Sequence, residues 1–264
     1  MSITDRNRNK SVQVLERGFA ILEEIARNNG EAPLAVLGKG LQIPRSTIHR
    51  ILSSLMDLGY VDQNPESGWY RMGLKVLALS SVILENLDIR RVAHKYLEDL
   101  MDETGHTANL VVLDRNEVVY IAKVTGKKGS GTFSLIGARA PVHVTGAGKV
   151  LLSELAQMDI IQMLRTKGMS KLTKYSITEI EAFLDELVKV RKQGYAFDNQ
   201  ECEMGARCIA VPVRDHTGRI IASVSISGAA NQLKTDSTVA IAAVVKYAGR
   251  LSHALGFSPD LLKL

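Results

Sequence analysis

Cysteine is nearly absent: Cys202 and Cys208 are the only two in 264 residues. That count excludes a disulfide framework for a chain of this size and fits a reducing compartment. Long apolar runs are missing as well. The longest uncharged stretch, Ile220 to Leu233, is 14 residues and contains Ser and Asn, short of the roughly 20 apolar residues a membrane span needs. The first ten residues are polar and carry no apolar core of a signal peptide. The expected location is therefore cytoplasmic, with no membrane partner. A strong charge of one sign is lacking too. The net charge is +5, and residues 1–75 hold ten Lys and Arg against eight Asp and Glu. Any argument for a nucleic-acid partner must rest on local clustering. Internal repeats and low-complexity segments are also absent.

One local cluster is clear. Residues 32–56 contain Lys39, Arg45, His49 and Arg50 but no Asp or Glu. Within this window, a helix opening at Pro44 puts Ile48, Ile51, Leu52 and Leu55 on one stripe at i, i+3, i+4 and i+7. Its other face carries Arg45, Ser46, His49, Arg50 and Ser53, donors suited to phosphate oxygens and base edges. Upstream, Leu34–Gly40 forms a short helix for which Gly40 is the expected left-handed stop. Two helices about a tight turn make a helix-turn-helix. The plain alternative for such a face is a solvated surface. The acid-free window argues against it.

Around this motif the chain reads in order. Residues 1–10 are expected to be a disordered arm with Arg6, Arg8 and Lys10 available to phosphates. Ser11–Arg27 reads as a first helix, with Val14, Leu15, Phe19, Leu22, Ile25 and Ala26 packing behind the motif and Asn28-Asn29-Gly30 ending it. Tyr60–Gln63 and Trp69–Met72 form a hairpin about a Pro/Gly turn, a wing on which Arg71 reaches the DNA flank. Trp69 and Tyr70 are expected to pack across the strands rather than stack on bases. Residues 11–72 thus read as a winged helix-turn-helix domain. Residues 73–87 are apolar nearly all round and read as a linker helix that pairs with its twin in a homodimer.

Residues 88–264 read as a second domain. An amphipathic helix runs to Gly105, and strands follow at 109–113 and 117–123, with a third near 132–136. Helices follow at about 147–155, 157–165 and 178–193, then strands at 206–214 and 219–227, and a closing helix at 235–255. Antiparallel strands between flanking helices imply an α+β fold, one sheet with helices packed on it.

No catalytic set emerges from this domain. Gly146–Val150 fails as a phosphate loop, because His143 stands where the leading Gly belongs and Val150 replaces the hydroxyl. Cys208 inside an apolar strand reads as a small buried hydrophobe rather than a nucleophile paired with His143. Cys202, Cys208, His143 and His216 lack metal-ligand spacing. Neither cofactor nor metal is expected. What stands out is small polar residues at element ends: Gly146-Ala147-Gly148 opening a helix, Ser225 and Ser227 on one strand face, and Asp198-Asn199-Gln200 in a loop before Arg207-Cys208. Such convergence suits a small carboxylate or hydroxy acid. The alternative is that the glycines only shape turns and the serines only pair across the sheet.

Several stretches together resemble the IclR family of bacterial transcriptional regulators across residues 11–257. They are Ser11–Arg17, Leu41–Leu52, Leu58–Val61, Tyr70–Lys75, Gly146–Leu152, Gly194–Glu201, Gly205–Val213 and Ser225–Gly228. The resemblance implies an N-terminal winged helix-turn-helix, a linker helix and a C-terminal GAF-like α/β effector-binding domain. It also implies a homodimer, or a dimer of dimers, on a palindromic operator of double-stranded DNA. It places the effector pocket at Gly146, Ala147, Asp198, Cys208, Ser225 and Ser227. The second half is most similar to members that sense sugar-acid products such as 2-keto-3-deoxygluconate. The family's usual acidic residues after the pocket Asp are here Asn199 and Gln200.

The expected function is that of a ligand-responsive regulator, a repressor of a carbon-catabolism operon that senses a small organic acid and catalyses nothing. Arg45, Ser46, Thr47, His49, Arg50 and Arg71 are the expected DNA contacts, with Arg45 reading a guanine. The other class open to this sequence is a sensor or enzyme domain whose N-terminal part docks a protein.

Overall fold

The computed structural model describes residues 12–79, 88–127, 135–234 and 237–260. The expected arm at 1–10 lies outside them. The described residues fall into two compact units, one of residues 12–79 with 258–260 and one within Asp88–Phe257.

The first unit is built from α1 (Gln13–Arg27), β1 (Glu31–Ala32), α2 (Leu34–Leu41), α3 (Arg45–Asp57), β2 (Val61–Gln63) and β3 (Tyr70–Met72). Ile21 and Ile25 of α1, Leu37 of α2, and Ile48, Ile51 and Leu52 of α3 close a core completed by Ala32, Val61 and Tyr70. The three strands pair antiparallel in the order β1-β3-β2. The two-residue β1 was not legible as a strand. It gains order only by pairing with β3, Ala32 opposite Tyr70.

Three expectations change here. Helix α2 continues through Gly40 to Leu41, and Gln42, at φ 52°, supplies the left-handed turn. Gly40 is instead a close-approach point: a Cβ there would meet the Glu24 carboxylate at 2.7 Å. Second, α1 turns Gly18, Ile21 and Ile25 inward, while Val14, Leu15 and Phe19 are exposed. Third, the aromatic pair divides, with Tyr70 buried and Trp69 exposed, because adjacent strand residues point to opposite faces. Residues 75–79 are helical, and the remainder of the expected linker helix, 80–87, lies outside the described residues.

The second unit opens with α4 (Ile89–Thr104), which Asp88 caps by accepting the Arg90 amide at 2.9 Å and Gly105 ends at φ 72°. It continues through β4 (Thr107–Asp114), β5 (Glu117–Val124), β6 (Arg139–Pro141), a 3₁₀ turn at Val142–Val144, α5 (Gly146–Leu152), α6 (Gln157–Lys167) and α7 (Ile180–Gln193). Strands β7 (Ala196–Asn199), β8 (Ala206–Arg214) and β9 (Ile220–Ala229) lead to α8 (Thr238–Ala254). The six strands form one antiparallel sheet in the order β6-β5-β4-β9-β8-β7. Helices α4 and α8 cover one face and α5 lies on the other, the α+β layering expected. Around α5, Val150, Leu152, Ile160, Leu164, Phe183 and Leu187 pack with Val111, Val118, Ala196 and Ala210 of the sheet.

Two strand expectations are corrected. Of the third strand expected near 132–136, residues 132–134 lie outside the described residues, and Leu135 and Ile136 are exposed and not in a strand. The Ala138 amide bonds to Leu135 O in a turn through Gly137, at φ 84°, and the Gly137 amide donates to Tyr120 O at 2.8 Å, leading into the β5 ladder that runs from Arg139. Asp198 and Asn199 belong to a strand rather than a loop. β7 pairs with β8, Asp198 opposite Cys208, an edge pairing that the polar Asp-Asn-Gln run conceals.

Candidate nucleic-acid interface and ligand pocket

Helix α3 starts after Pro44, which holds φ −56° and ψ 137° at the N-cap. Burial of Ile48, Ile51 and Leu52 fixes which way the helix faces. The outer side therefore presents Arg45, Ser46, His49 and Arg50, all exposed, with Thr47 half-buried. Thr47 and Arg50 also border a cleft of about 550 Å³ between α1 and α3, so the six expected DNA contacts do not form one even surface. Among the described residues, Arg45, His49 and Arg50 form no ion pair. Among the described residues the Arg45 and Arg50 charges are uncommitted, and the sequence window around them has no acid, so the face is a cationic hydrogen-bonding surface.

The wing is pinned from below. Asn64 Oδ1 accepts the amides of Glu66 and Ser67 at 2.9 and 3.3 Å. Glu31 Oε1 accepts from Asn64 Nδ2 at 3.1 Å and from Ser67 Oγ at 3.2 Å. Arg71 stands in register with Asp62, and their charged groups are 3.8 Å apart on the exposed side. Its charge is partly answered within the wing, unlike that of Arg45.

In the second unit, alternation decides which side chains meet α5. Two rows cross the sheet on that side. One runs Asp198, Cys208, Ser227, Thr107; the next runs Ala196, Ala210, Ser225, Asn109, Lys123. Gly146 opens α5 directly above them: a Cβ there would lie 3.3 Å from Ala210 Cβ and 3.3 Å from the Asp198 amide. Thr145 Oγ1 takes the Gly148 amide at 3.1 Å, and the amides of Gly146 and Ala147 belong to a first turn that offers no intrahelical acceptor. The residues Gly146, Asp198, Cys208, Ser225 and Ser227, distant in sequence, thus converge on one sheet face.

Charge at this face is tightly held. Asp198 is buried, and Oδ1 accepts the Glu201 and Cys202 amides at 2.7 and 3.3 Å. Burial, reinforced by the Glu201 carboxylate, pushes its carboxyl up to about 7, against the opposing pull of those amides. Burial and Asp198 push the Cys208 thiol up to about 12, so it stays protonated and unsuited to nucleophilic attack. Burial also raises the Tyr120 hydroxyl. Among the described residues no cluster of His, Cys, Asp or Glu could hold a metal ion.

The sequence reading missed several members of this site. Lys149 is 1 % exposed. Its Nζ lies 2.8 Å from Phe197 O and 2.7 Å from Glu201 Oε1, with Glu186 Oε1 at 3.6 Å. It fastens α5 to the turn after β7. Thr173 Oγ1 donates to Gln200 O at 2.7 Å and Ser176 Oγ to Glu201 O at 2.8 Å, bracing the same turn. Asn109 was the one legible clue, a lone amide within the apolar strand Thr107–Leu113.

Two family models cover these two units. The IclR helix-turn-helix domain matches residues 14–65, and the C-terminal domain of bacterial transcriptional regulator IclR matches residues 81–253. The chain belongs to the IclR family. It is 36% identical to the HTH-type transcriptional regulator XynR of Escherichia coli over 93% of this chain and 98% of that one. It is 32% identical to the E. coli transcriptional repressor AllR, over 94% of this chain and 92% of that one. Among solved structures, the Agobacterium tumefaciens repressor BlcR superposes with a TM-score of 0.78 at 29% identity, over 94% of this chain and 99% of that one. These relatives are regulators, not enzymes, and the family carries a DNA-binding helix-turn-helix. No helix among the described residues is long and apolar enough to cross a membrane.

Proposed function

We propose that this family member is a ligand-responsive repressor of a carbon-catabolism operon that docks α3 in the major groove of a palindromic operator. The observation that carries the reading is the uncommitted cationic face of α3, where Arg45, His49 and Arg50 have no ion-pair partner among the described residues. Arg45, at the first turn, is the base reader, with Ser46, Thr47, His49 and Arg50 on bases and phosphates. Arg71 reaches the flank. The effector is a small organic acid held by Gly146, Ala147, Asp198, Cys208, Ser225 and Ser227, a reading supported by the way the start of α5 meets the sheet face that carries the other four.

A homodimer supplies the two-fold symmetry a palindrome needs. Exposed Val14, Leu15, Phe19, Leu58 and Leu79 around the α1–α3 cleft support it, because a monomer would leave that apolar surface in water. A gel shift on the upstream intergenic DNA with excess random competitor tests the reading. The expected result is a retained shift over two half-sites, released by a small acid and weakened steeply by salt. No shift at low salt would overturn it.

A further inference from the structure

Asn109 sits where its strand has no use for an amide. It is 1 % exposed, between the buried Ala108 and Leu110, on a strand whose buried positions are otherwise Thr107 and apolar residues. Its Nδ2 donates to Ser227 Oγ at 3.3 Å. Its Oδ1 is buried with no hydrogen-bond partner. A half-satisfied buried amide costs stability that a valine would not, and such a group persists where a site needs it. Its register partner across the sheet is Ser225, and Thr107 two residues earlier stands opposite Ser227. The half-satisfied amide therefore belongs to a residue that stands beside the same serines as the proposed effector site.

We propose that Asn109 is a specificity-determining residue of that site, and that it reads a hydroxyl, making the effector a hydroxylated carboxylic acid rather than a bare one. The inference rests on the effector-site reading above. A carboxamide can be turned end for end, because the Ser227 hydroxyl meets either its nitrogen or its oxygen. The free end is then an acceptor in one orientation and a donor in the other. A ligand hydroxyl satisfies both, and a methylene satisfies neither. Ser225 and Ser227 stand on β9, one strand spacing of about 4.8 Å from β4, so an acid of a few carbons that meets the serines also meets Asn109.

The test is calorimetric titration of the full-length protein and of Asn109→Val with two matched pairs, D-glycerate against propionate and D-gluconate against hexanoate. At least one hydroxy acid is expected to bind native protein ten-fold or more tighter than its deoxy counterpart. In Asn109→Val that preference shrinks to about two-fold, while the melting temperature holds or rises. Asn109→Thr, which keeps a hydroxyl on a β-branched stem, recovers part of the preference and replaces the valine variant if that one does not fold. A preference that survives in Asn109→Val overturns the proposal, as do equal binding of both partners and a fall in melting temperature with the preference intact. If neither series gives heat while the operator shift is retained, the hydroxy-acid assignment fails and the regulator reading stands.

Discussion

Lys149 and Glu201 form a buried ion pair, Nζ to Oε1 at 2.7 Å, that ties the helix over the candidate pocket to the turn after β7. Lys149 also bonds Phe197 O, so one ammonium holds β7 and the turn after it against α5. Removing Lys149 leaves the Glu201 carboxylate buried without its counterion, and removing Glu201 leaves Lys149 only the longer contact to Glu186 at 3.6 Å. Lys149→Met and Glu201→Gln are each expected to cost about 3–5 kcal/mol. The double variant should cost well under the sum. Urea denaturation of the four proteins checks this, and additive losses would show that the pair does not act as a unit.

Asp198 makes the second unit sensitive to pH in a stated direction. Its folded carboxyl titrates at about 7 against 3.8 for a free aspartate, mainly through burial. Below pH 4 both states hold the proton and the group contributes no difference. Between pH 4 and 7 the unfolded chain releases a proton that the folded chain keeps, so stability falls as pH rises, by at most about 4 kcal/mol, and then levels off. Asp198→Asn retains the Oδ1 acceptor and cannot titrate. Its melting temperature relative to native protein should climb from pH 4 to pH 7 and stay flat above. A difference independent of pH would mean that Asp198 is ionised throughout.

Arg45 and the random-sequence contacts are separable by measurement. Arg45→Ala is expected to weaken operator binding by on the order of 1–3 kcal/mol, with little effect on random DNA. Fluorescence anisotropy on both duplexes at one salt concentration reads the difference. Equal losses would reduce Arg45 to a phosphate contact.

Two helical glycines should respond oppositely to alanine. A Cβ on Gly38 would meet only Arg45 Cγ at 3.9 Å and Ile48 Cδ1 at 4.0 Å, ordinary contact. Gly38→Ala should therefore stabilise the protein by about 0.5–1 kcal/mol through helix preference. A Cβ on Gly148 would collide with Val142 O and lie 2.5 Å from Val142 Cα, both backbone atoms. Gly148→Ala should destabilise by more than about 2 kcal/mol, the range of overpacked cores. Thermal melts of both variants decide the pair.

The sequence by itself determined what periodicity and local chemistry can carry. The stripe at Ile48, Ile51, Leu52 and Leu55 oriented α3 and so named Arg45, His49 and Arg50 as its outer face. The turn at Asp215–Gly218 bounded β8 and β9, and Asp88 and Gly105 bracketed α4. Alternation put Ser225 and Ser227 on one face of one strand. None of that says which strand lies beside which. Only the tertiary structure decided that β4 inserts against β9, more than a hundred residues away, and thereby set Asn109 beside the serines. The same is true of β1 and β7, whose strand character comes from a partner's hydrogen bonds and not from their own residues, and of Lys149, a charge that reads as surface until α5, α7 and β7 close around it. Short-range pattern follows from side-chain geometry along one element. Edge pairing, buried charge and the half-satisfied amide depend on neighbours that the chain brings together only by folding.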